Sequence, residues 1–245
     1  GAFVDQNLRA FEIGRWAALF PADANKMISN PVVYLKDSLQ DRIDFRIKHL
    51  EAFQGKKLSQ KFVDIVESFE DKEIKAAVAV NYHKVLAYKD EYEVARLHLG
   101  TRQKVAEKFE NVKRIKFHLA PPLISKEGKN GRAKKIEFGE FTIHIFKILA
   151  WLKWLRGTKF DIFSYSKDRR LDLELIKEYQ SDLQFVKALN FDKDKELILE
   201  LLNLPSSIKG FGIVRRKNYE AVSIQRKNLL KKLSNSSKIL GHAAE

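Results

Sequence analysis

The stretch KEIKAAVAVNYHKVLAYKDEYEVARLHL, residues 72–99, decides the fold, because it is the longest segment of the chain with helical spacing. Val78 and Tyr82 recur at an interval that places side chains on one face of an α-helix. Lys89 and Arg96 continue the same spacing, so the predicted apolar face also carries two cations. A glycine follows the stretch and is a common helix stop. The pattern predicts one long helix from residue 72 to residue 99.

The rest of the chain also favours helices. Only 5 Pro and 11 Gly residues occur among 245 positions, which is typical of long elements rather than many short turns. A polar connection is predicted at 21–31. Apolar periodicity and end signals predict further helices at 1–20, 32–54, 58–69, 141–155, from Ser166 through Val186, from Asp192 to just before Pro205, and at 215–233.

One segment, Phe141–Leu155, is apolar on nearly all sides. Ile145 and Ile148 belong to one helical face, and Phe146 lies among the residues that cover much of the rest. A helix that is hydrophobic all round is usually buried. This segment is therefore predicted to be the central buried helix, with His144 as a hydrogen-bonded core residue.

Residues 112–138 differ from the rest of the chain in pattern. Val112–Leu119 alternates approximately with period two, as a strand does, and a pair of prolines follows it. The polar, glycine-containing stretch 125–131 is typical of an exposed turn. Lys134–Phe138 then fits a returning strand. The predicted fold class is mainly α: a multi-helix globular domain with a small β-hairpin near 112–138.

The composition limits the classes of function. The chain contains no cysteine, which excludes disulfides, thiolate nucleophiles, zinc–thiolate sites and iron–sulfur ligation by its own side chains. The absence of disulfides agrees with a cytoplasmic protein. The most apolar run is too short to span a bilayer, so no membrane partner is expected.

Basic residues concentrate in two segments of a chain whose net charge is +14. Residues 101–137 hold 11 Lys and Arg against 4 Glu, and residues 205–233 hold 8 against 1, a net charge of +7 in each. Such segments predict an acidic partner: nucleic acid, an acidic protein or a phosphorylated ligand. The alternative is a lysine-rich solvated surface.

Lys89 and Arg96 are candidate ligand-binding residues, because cations on an apolar face need a partner or an exit to solvent. They face a ligand, extend outward or join an internal salt-bridge network. Asp90 and Glu93 are the candidate acids for such a network. The internal network is the favoured interpretation.

His118 stands at the end of the first predicted strand, where a histidine could serve as an acid or a base. Since no second His, Ser or Cys lies near it in sequence, a structural histidine is favoured. Arg132, Lys134 and Lys135 follow glycines in the predicted turn, where cations can reach a phosphate or a carboxylate. An ordinary basic hairpin has the same pattern. The sequence identifies no catalytic residue and no metal site.

Four uncommon blocks follow one another along the chain: YKDEYEVAR at 88–96, FHLAPP at 117–122, GRAKKIEFG at 131–139 and LRGTKFD at 155–161. Together they resemble the C-terminal region of the fused indolepyruvate ferredoxin oxidoreductase-like proteins, which belong to the 2-oxoacid:ferredoxin oxidoreductase family. The opening residues are similar to the end of that family's gamma-type domain. The resemblance implies a tail of that domain at 1–20, a helical accessory domain at 21–233 and a frayed tail at 234–245.

The resemblance also implies a parent enzyme with thiamine diphosphate and iron–sulfur clusters as cofactors and coenzyme A as a substrate. Such enzymes oxidatively decarboxylate arylpyruvate-type 2-oxoacids to acyl-CoA and pass electrons to ferredoxin. This chain lacks the family's cysteine clusters and its thiamine-binding Gly-Asp-Gly motif. No catalytic residue of the family therefore carries over to this sequence.

The leading hypothesis is a noncatalytic structural or docking module that holds the remaining domains of the parent enzyme together. Its basic segments could also dock acidic ferredoxin or the phosphates of coenzyme A. The alternative is an independent basic nucleic-acid-binding protein, which has the charge and interleaved aromatics but no recognisable reading motif. A stand-alone enzyme is the least favoured hypothesis.

Overall fold

A computed structural model describes residues 4–28, 38–107, 109, 112, 114–120, 135–189, 191–210 and 212–242. Within these ranges the prediction of a mainly α fold with a small antiparallel hairpin is confirmed. In chain order the elements are α1 Val4–Leu19, α2 Pro21–Ile28, α3 Leu39–Gln54, α4 Lys56–Glu67, α5 Lys72–Leu86, α6 Glu91–His98, α7 Thr101–Ala106, β1 Phe117–Leu119, β2 Ile136–Phe138, α8 Thr142–Trp151, a 3-10 turn Leu152–Leu155, α9 Lys167–Lys187, α10 Phe191–Asn203, a 3-10 turn Leu204–Ser207 and α11 Gly212–His242.

The chain divides into two units, residues 1–42 and residues 43–245. In the first unit α1 packs against α2, and Phe11 is among the apolar side chains of α1 that remain exposed. Ser38 and Asp41 then start α3 with a reciprocal capping box. Ser38 Oγ accepts the Asp41 backbone N–H at 3.1 Å, and Asp41 Oδ2 accepts the Ser38 backbone N–H at 2.9 Å.

The prediction of one continuous helix over 72–99 is wrong, because the chain leaves helical geometry between Leu86 and Glu91. The cause is Asp90, whose backbone is extended, with φ −122° and ψ 177°. Its Oδ1 accepts a hydrogen bond from the backbone N–H of Glu93 at 2.7 Å. This bond satisfies one of the free donors at a helix N-terminus, so Asp90 begins α6 instead of continuing α5.

The central helix of the second unit is α5, which packs against α4, α9 and α10. Tyr82 on α5 is 0% exposed and lies between the rings of Phe62 on α4 and Tyr179 on α9, each centroid 6.1 Å away. Its hydroxyl accepts a hydrogen bond from Gln180 Nε2 at 3.0 Å. Stacked aromatic rings from three helices thus form the middle of the core.

Polar side chains also tie α5 to the region where α10 ends. Asn81 Nδ2 donates to Asn203 Oδ1 at 2.9 Å, and Asn81 Oδ1 accepts from Ser206 Oγ at 2.7 Å. Lys84 Nζ donates to the carbonyl of Pro205 at 2.6 Å. Asn81 is fully buried, so these bonds pair polar atoms that would be costly to bury alone.

The hairpin is shorter than the predicted one. β1 pairs antiparallel with β2 in a register that places Phe117 opposite Phe138. Phe117 meets the ring of Phe146 on α8 edge to face, with centroids 5.2 Å apart. Together with Ala95 of α6, these rings form a small core that joins the hairpin to α6 and α8. The predicted turn at 125–131 lies outside the described residues.

The prediction that Phe141–Leu155 is the central buried helix is wrong. α8 packs against α6 and the hairpin through the face that carries Phe146, and its opposite face is exposed. His144, predicted to lie in the core, is exposed as well. The described fold therefore covers only one side of a helix that is apolar all round. The exposed apolar side chains are Phe141, Ile145, Ile148, Trp151 and Trp154.

Two short helices have no counterpart in the prediction. The polar connection predicted at 21–31 is wrong for residues 21–28, which form α2. The six-residue helix α7 follows α6 almost directly. Helices of two turns or fewer contain too few apolar positions for periodicity to detect them. α11 extends to His242, beyond the predicted end at Leu233.

Ser166 caps α9, as predicted, because its Oγ accepts the Arg169 backbone N–H at 3.2 Å. We expect Ser166→Ala to lower the free energy of unfolding by about 1 kcal/mol, since that donor loses its partner. Urea denaturation measures the change. Ser166→Asp is the matched control, because aspartate also caps helices well; an equal loss in both variants would contradict the capping role.

Candidate functional site

The sequence blocks at 88–96 and 155–161 meet inside the fold. Arg156, which follows the 3-10 turn after α8, reaches Asp90 at the start of α6. Its Nε lies 2.5 Å from Asp90 Oδ2, and its Nη2 lies 2.9 Å from Asp90 Oδ1. Both side chains are 1% exposed. The same carboxylate thus caps α6 and holds the end of the α8 segment.

Phe53 at the end of α3 completes the surroundings of the Arg156 guanidinium. Arg156 Nη1 donates to the Phe53 carbonyl at 2.6 Å, and the guanidinium carbon lies 3.7 Å from the centre of the Phe53 ring. A buried guanidinium needs such partners, because removing it from water is costly. Gly157 follows with φ +78°, a conformation that glycine adopts easily and that turns the chain after Arg156.

Asp161 is the second buried carboxylate of the 155–161 block. It accepts a hydrogen bond from Tyr92 Oη at 3.0 Å and from the backbone N–H groups of Phe163 at 3.2 Å and Gly157 at 3.3 Å. Burial, and then the charge of Asp161, raise the pKa of Tyr92 well above its usual range. Tyr92 therefore stays protonated and acts as a hydrogen-bond donor at neutral pH.

Arg169 on α9 extends the network of charges. Its Nη2 lies 3.0 Å from Glu91 Oε2 and its Nη1 lies 3.2 Å from Asp172 Oδ2. Its guanidinium carbon is 4.5 Å from the centre of the Tyr88 ring, a cation–π contact. Burial raises the pKa of Tyr88 to about 12. The residues linked by these ion pairs, hydrogen bonds and ring contacts are called the buried ionic network: Tyr88, Asp90, Glu91, Tyr92, Arg156, Asp161, Arg169 and Asp172.

A second polar cluster joins α3, α5 and α6. His49 Nδ1 and His83 Nε2 are 3.0 Å apart, so one ring nitrogen donates and the other accepts. His49 Nε2 lies 3.5 Å from Glu93 Oε1, and Arg96 holds Glu93 through bonds of 2.8 and 2.6 Å. Burial, followed by the nearby His49 and Arg46, lowers the pKa of His83 to about 4. His83 is therefore neutral at pH 7.

The best-formed cavities of the described residues lie away from the histidine pair. The two best-formed cavities in the described part of the chain hold about 20 Å³ each, room for about one water. Neither cavity is lined by His49 or His83. No group of three or more His, Asp or Glu side chains among the described residues is placed to hold a metal ion.

The prediction that Lys89 and Arg96 share one helical stripe is wrong, because the chain breaks between α5 and α6. Lys89 lies exposed in that connection, and its charge adds to burial in lowering the pKa of His98. Arg96 forms an ion pair with Glu93 within α6. The internal salt bridge considered in the sequence analysis therefore accounts for Arg96.

His118 and Lys135 belong to the hairpin region, and both side chains are exposed. His118 stands opposite Glu137, whose carboxylate lies 2.8 Å from Lys116 Nζ. The other two cations of the predicted anion-binding turn, Arg132 and Lys134, lie outside the described residues. His118 and Arg96 thus have different carboxylate neighbours and belong to different local groups.

Within the described residues, at least three of the eight cations in the basic segment 205–233 are used inside the fold. They form ion pairs that fasten α11 to α9. The pairs are Arg215 with Asp172 at 2.5 Å, Arg216 with Asp168 at 2.6 Å and Arg226 with Asp182 at 2.7 Å. The charge that suggested nucleic acid is therefore partly a packing device, and Lys217 is among the cations that remain exposed.

Local sequence patterns do not predict the pairing of Arg156 with Asp90 or of His49 with His83. The Asp90–Glu93 spacing does carry a signal, since an aspartate three residues before a glutamate is a pattern of helix starts. Arg156 directly precedes a glycine at the end of an apolar run, which marks a turn but not a buried partner. His49 and His83 are 34 residues apart, and no local pattern connects them.

The fold and the buried ionic network together define a mainly α domain with charged residues buried between its helices. A family model described as a family of unknown function, DUF6537, matches residues 39–228, from the first residue of α3 into α11. The chain therefore belongs to that family. Searches of curated proteins and of solved structures give no significant match. None of the described helices combines the length and apolar character needed to cross a bilayer.

Proposed function

We propose that this chain is a noncatalytic structural and docking module of a cytoplasmic 2-oxoacid:ferredoxin oxidoreductase. The parent enzyme oxidatively decarboxylates an arylpyruvate-type 2-oxoacid to an acyl-CoA. The thiamine diphosphate and iron–sulfur clusters of the parent belong to its other domains, since this chain has no cysteine and no Gly-Asp-Gly motif. Support for the parent comes from the four sequence blocks that resemble this family.

One observation carries the structural role: the ionisable residues of two of those blocks pair with one another inside the fold. Asp90 binds Arg156, and Asp161 binds Tyr92, all with buried side chains. A catalytic acid or base must reach a substrate, whereas these groups have spent their hydrogen bonds on internal partners. Such blocks are expected where a module must keep one fixed shape.

Its partners in this proposal are the remaining domains of the parent and acidic ferredoxin. Lys135, with Arg132 and Lys134, would attract ferredoxin by charge. Electrostatic attraction of this kind mainly raises the association rate and weakens with salt.

Sequencing the coding DNA upstream of Gly1 tests the parent. We expect an open frame that continues into a Gly-Asp-Gly thiamine motif and cysteine clusters. A start codon directly before Gly1 would contradict the proposal and would favour an independent protein.

The noncatalytic role has its own assay. Purified chain is mixed with indolepyruvate, coenzyme A, thiamine diphosphate and ferredoxin, and ferredoxin reduction is followed by absorbance. We expect no turnover above a protein-free control, and turnover by the chain would overturn this part of the proposal.

A further inference from the structure

The exposed side of α8 presents aromatic and aliphatic side chains in one row. Phe141, Ile145, Ile148 and Trp151 follow at spacings of four, three and three residues, which places them on one face over about 15 Å of helix. Trp154 extends the row, its ring centroid 6.3 Å from that of Trp151. Phe141 is 76%, Trp151 70% and Trp154 58% exposed. These five residues are called the α8 face below.

The helix that carries the α8 face is anchored to the fold behind it. Phe146 is buried on the opposite side of the helix. Beyond Trp151 the chain is fastened twice to the end of α3: Lys153 Nζ donates to the Ala52 carbonyl at 2.8 Å, and Gln54 Nε2 donates to the Arg156 carbonyl at 3.3 Å. A backbone already anchored in this way need not be ordered on binding, which lowers the entropic cost of docking a partner.

The α8 segment itself carries positive charge. Residues 141–160 contain four Lys and Arg residues and no Asp or Glu. Of the acids that flank the segment, Asp161 is buried, and Glu140 is exposed but accepts the Ile115 backbone N–H at 3.3 Å. Lys153 and Arg156 are bound internally, as described above, whereas Lys147 and Lys159 are exposed. Lys147 lies three residues after His144 and four before Trp151, on the same side of the helix. A complementary partner therefore carries acidic residues around an apolar centre.

We propose that the α8 face docks a protein surface whose apolar centre is edged by aspartate and glutamate. This inference rests on the proposed docking role and names the surface and the chemistry of its partner. A second copy of the chain fits less well, because pairing two such faces would bring like charges together. An anionic membrane is also less suitable, since helices that lie on membranes carry many Lys and Arg along the polar face.

Tryptophan fluorescence gives a direct readout of the α8 face. Trp16→Phe leaves only Trp151 and Trp154 as reporters, since the chain has three tryptophans. The probe is a synthetic amphipathic helix with leucines on one face and glutamates along both edges. The comparison probe has lysines in place of the glutamates. We expect the glutamate peptide to shift the emission to the blue and to bind at least about tenfold more tightly than the lysine peptide.

Variants locate the binding on α8. Ile148→Ser and Trp151→Ser, each in the Trp16→Phe background, are expected to weaken glutamate-peptide binding by about tenfold or more. Phe45→Ser is the matched control, because Phe45 is 68% exposed on α3. This control variant should bind the glutamate peptide as tightly as the Trp16→Phe chain does. Lys147→Glu should narrow or reverse the preference between the two peptides. Far-ultraviolet circular dichroism verifies that each variant is folded.

Several results would overturn the inference. They are equal affinity for both peptides, or binding that survives Ile148→Ser and Trp151→Ser. Blue-shifted emission of the free chain would mean that the chain covers its own face. Sedimentation showing a dimer abolished by Trp151→Ser would assign the face to a second copy. Binding to phosphatidylglycerol vesicles without peptide binding would assign it to a membrane. The peptide experiment and the sequencing of the upstream coding DNA are independent. A failure of peptide binding would not change the reading-frame result, and a start codon before Gly1 would not change the peptide result.

Discussion

Arg156→Met is expected to lower the free energy of unfolding by about 3–5 kcal/mol, the usual cost of removing one partner from a buried ion pair. Methionine leaves the carboxylate of Asp90 buried without a counter-charge. It also removes the donor to the Phe53 carbonyl and the cation over the Phe53 ring. Urea denaturation at pH 7, followed by circular dichroism, measures the loss.

Two controls separate the ion pair from a general effect of losing an arginine. Arg102→Met, on the exposed side of α7, should change the free energy of unfolding by no more than about 0.5 kcal/mol. Adding Asp90→Asn to Arg156→Met should recover at least half of the loss, because asparagine still caps α6 but carries no charge. If the double variant is as unstable as the sum of the single variants, the two residues are not coupled.

Acidification from pH 6.5 to pH 4 is expected to lower the free energy of unfolding through His83, by up to about 3 kcal/mol. The pKa of His83 falls from 6.5 to about 4 in the folded chain, first because of burial and then because of His49 and Arg46. Above pH 6.5 the His83 side chain is neutral in both the folded and the unfolded chain, so its titration does not lower the free energy of unfolding there. Between the two values the unfolded chain binds the proton and the folded chain does not, so acid favours unfolding.

Urea denaturation at half-unit steps of pH measures this slope. His83→Gln should flatten it, because glutamine does not titrate. His144→Gln, at an exposed histidine, is the matched control for the loss of a histidine. An unchanged slope in His83→Gln would show that other groups cause the acid sensitivity. Carboxylates also titrate in this range. Those with a lowered pKa, such as Asp71, add to the slope, whereas those whose pKa is raised by burial, such as Asp182, oppose it. The difference between the two variants therefore carries the result.

Helices with regular apolar spacing were the part of the fold that the sequence could predict. In α9, Leu175, Tyr179, Leu183 and Val186 are all buried, and Ser166 caps the helix as its sequence indicates. These features are local: one face of a helix must be covered, and its first N–H groups need an acceptor. The pairing of the two short strands is local in the same sense.

Which helix becomes central was not predictable, because it depends on contacts between distant segments. α5 and α8 are both rich in apolar residues, but the described fold surrounds α5 and leaves one side of α8 open. The local start of α6 at Asp90 was visible in principle, whereas its pairing with Arg156 joins positions 66 residues apart. Sequence periodicity does not predict a contact between two residues so far apart in the chain.

The central position of α5 has a consequence for folding during synthesis, because several of its packing partners are synthesised much later. α5 is complete once Leu86 has been synthesised. Its residue Asn81 bonds to Asn203, which is synthesised 122 residues later, and Tyr82 stacks on Tyr179, which also follows later. At about 5–20 residues per second, the Asn203 partner follows roughly 6–24 s after Asn81. During that interval α5 can pack against α4, but the sides that face α9 and α10 lack their partners. The nascent chain therefore exposes apolar surface of α5 in the middle of synthesis, when α5 exists and α10 does not.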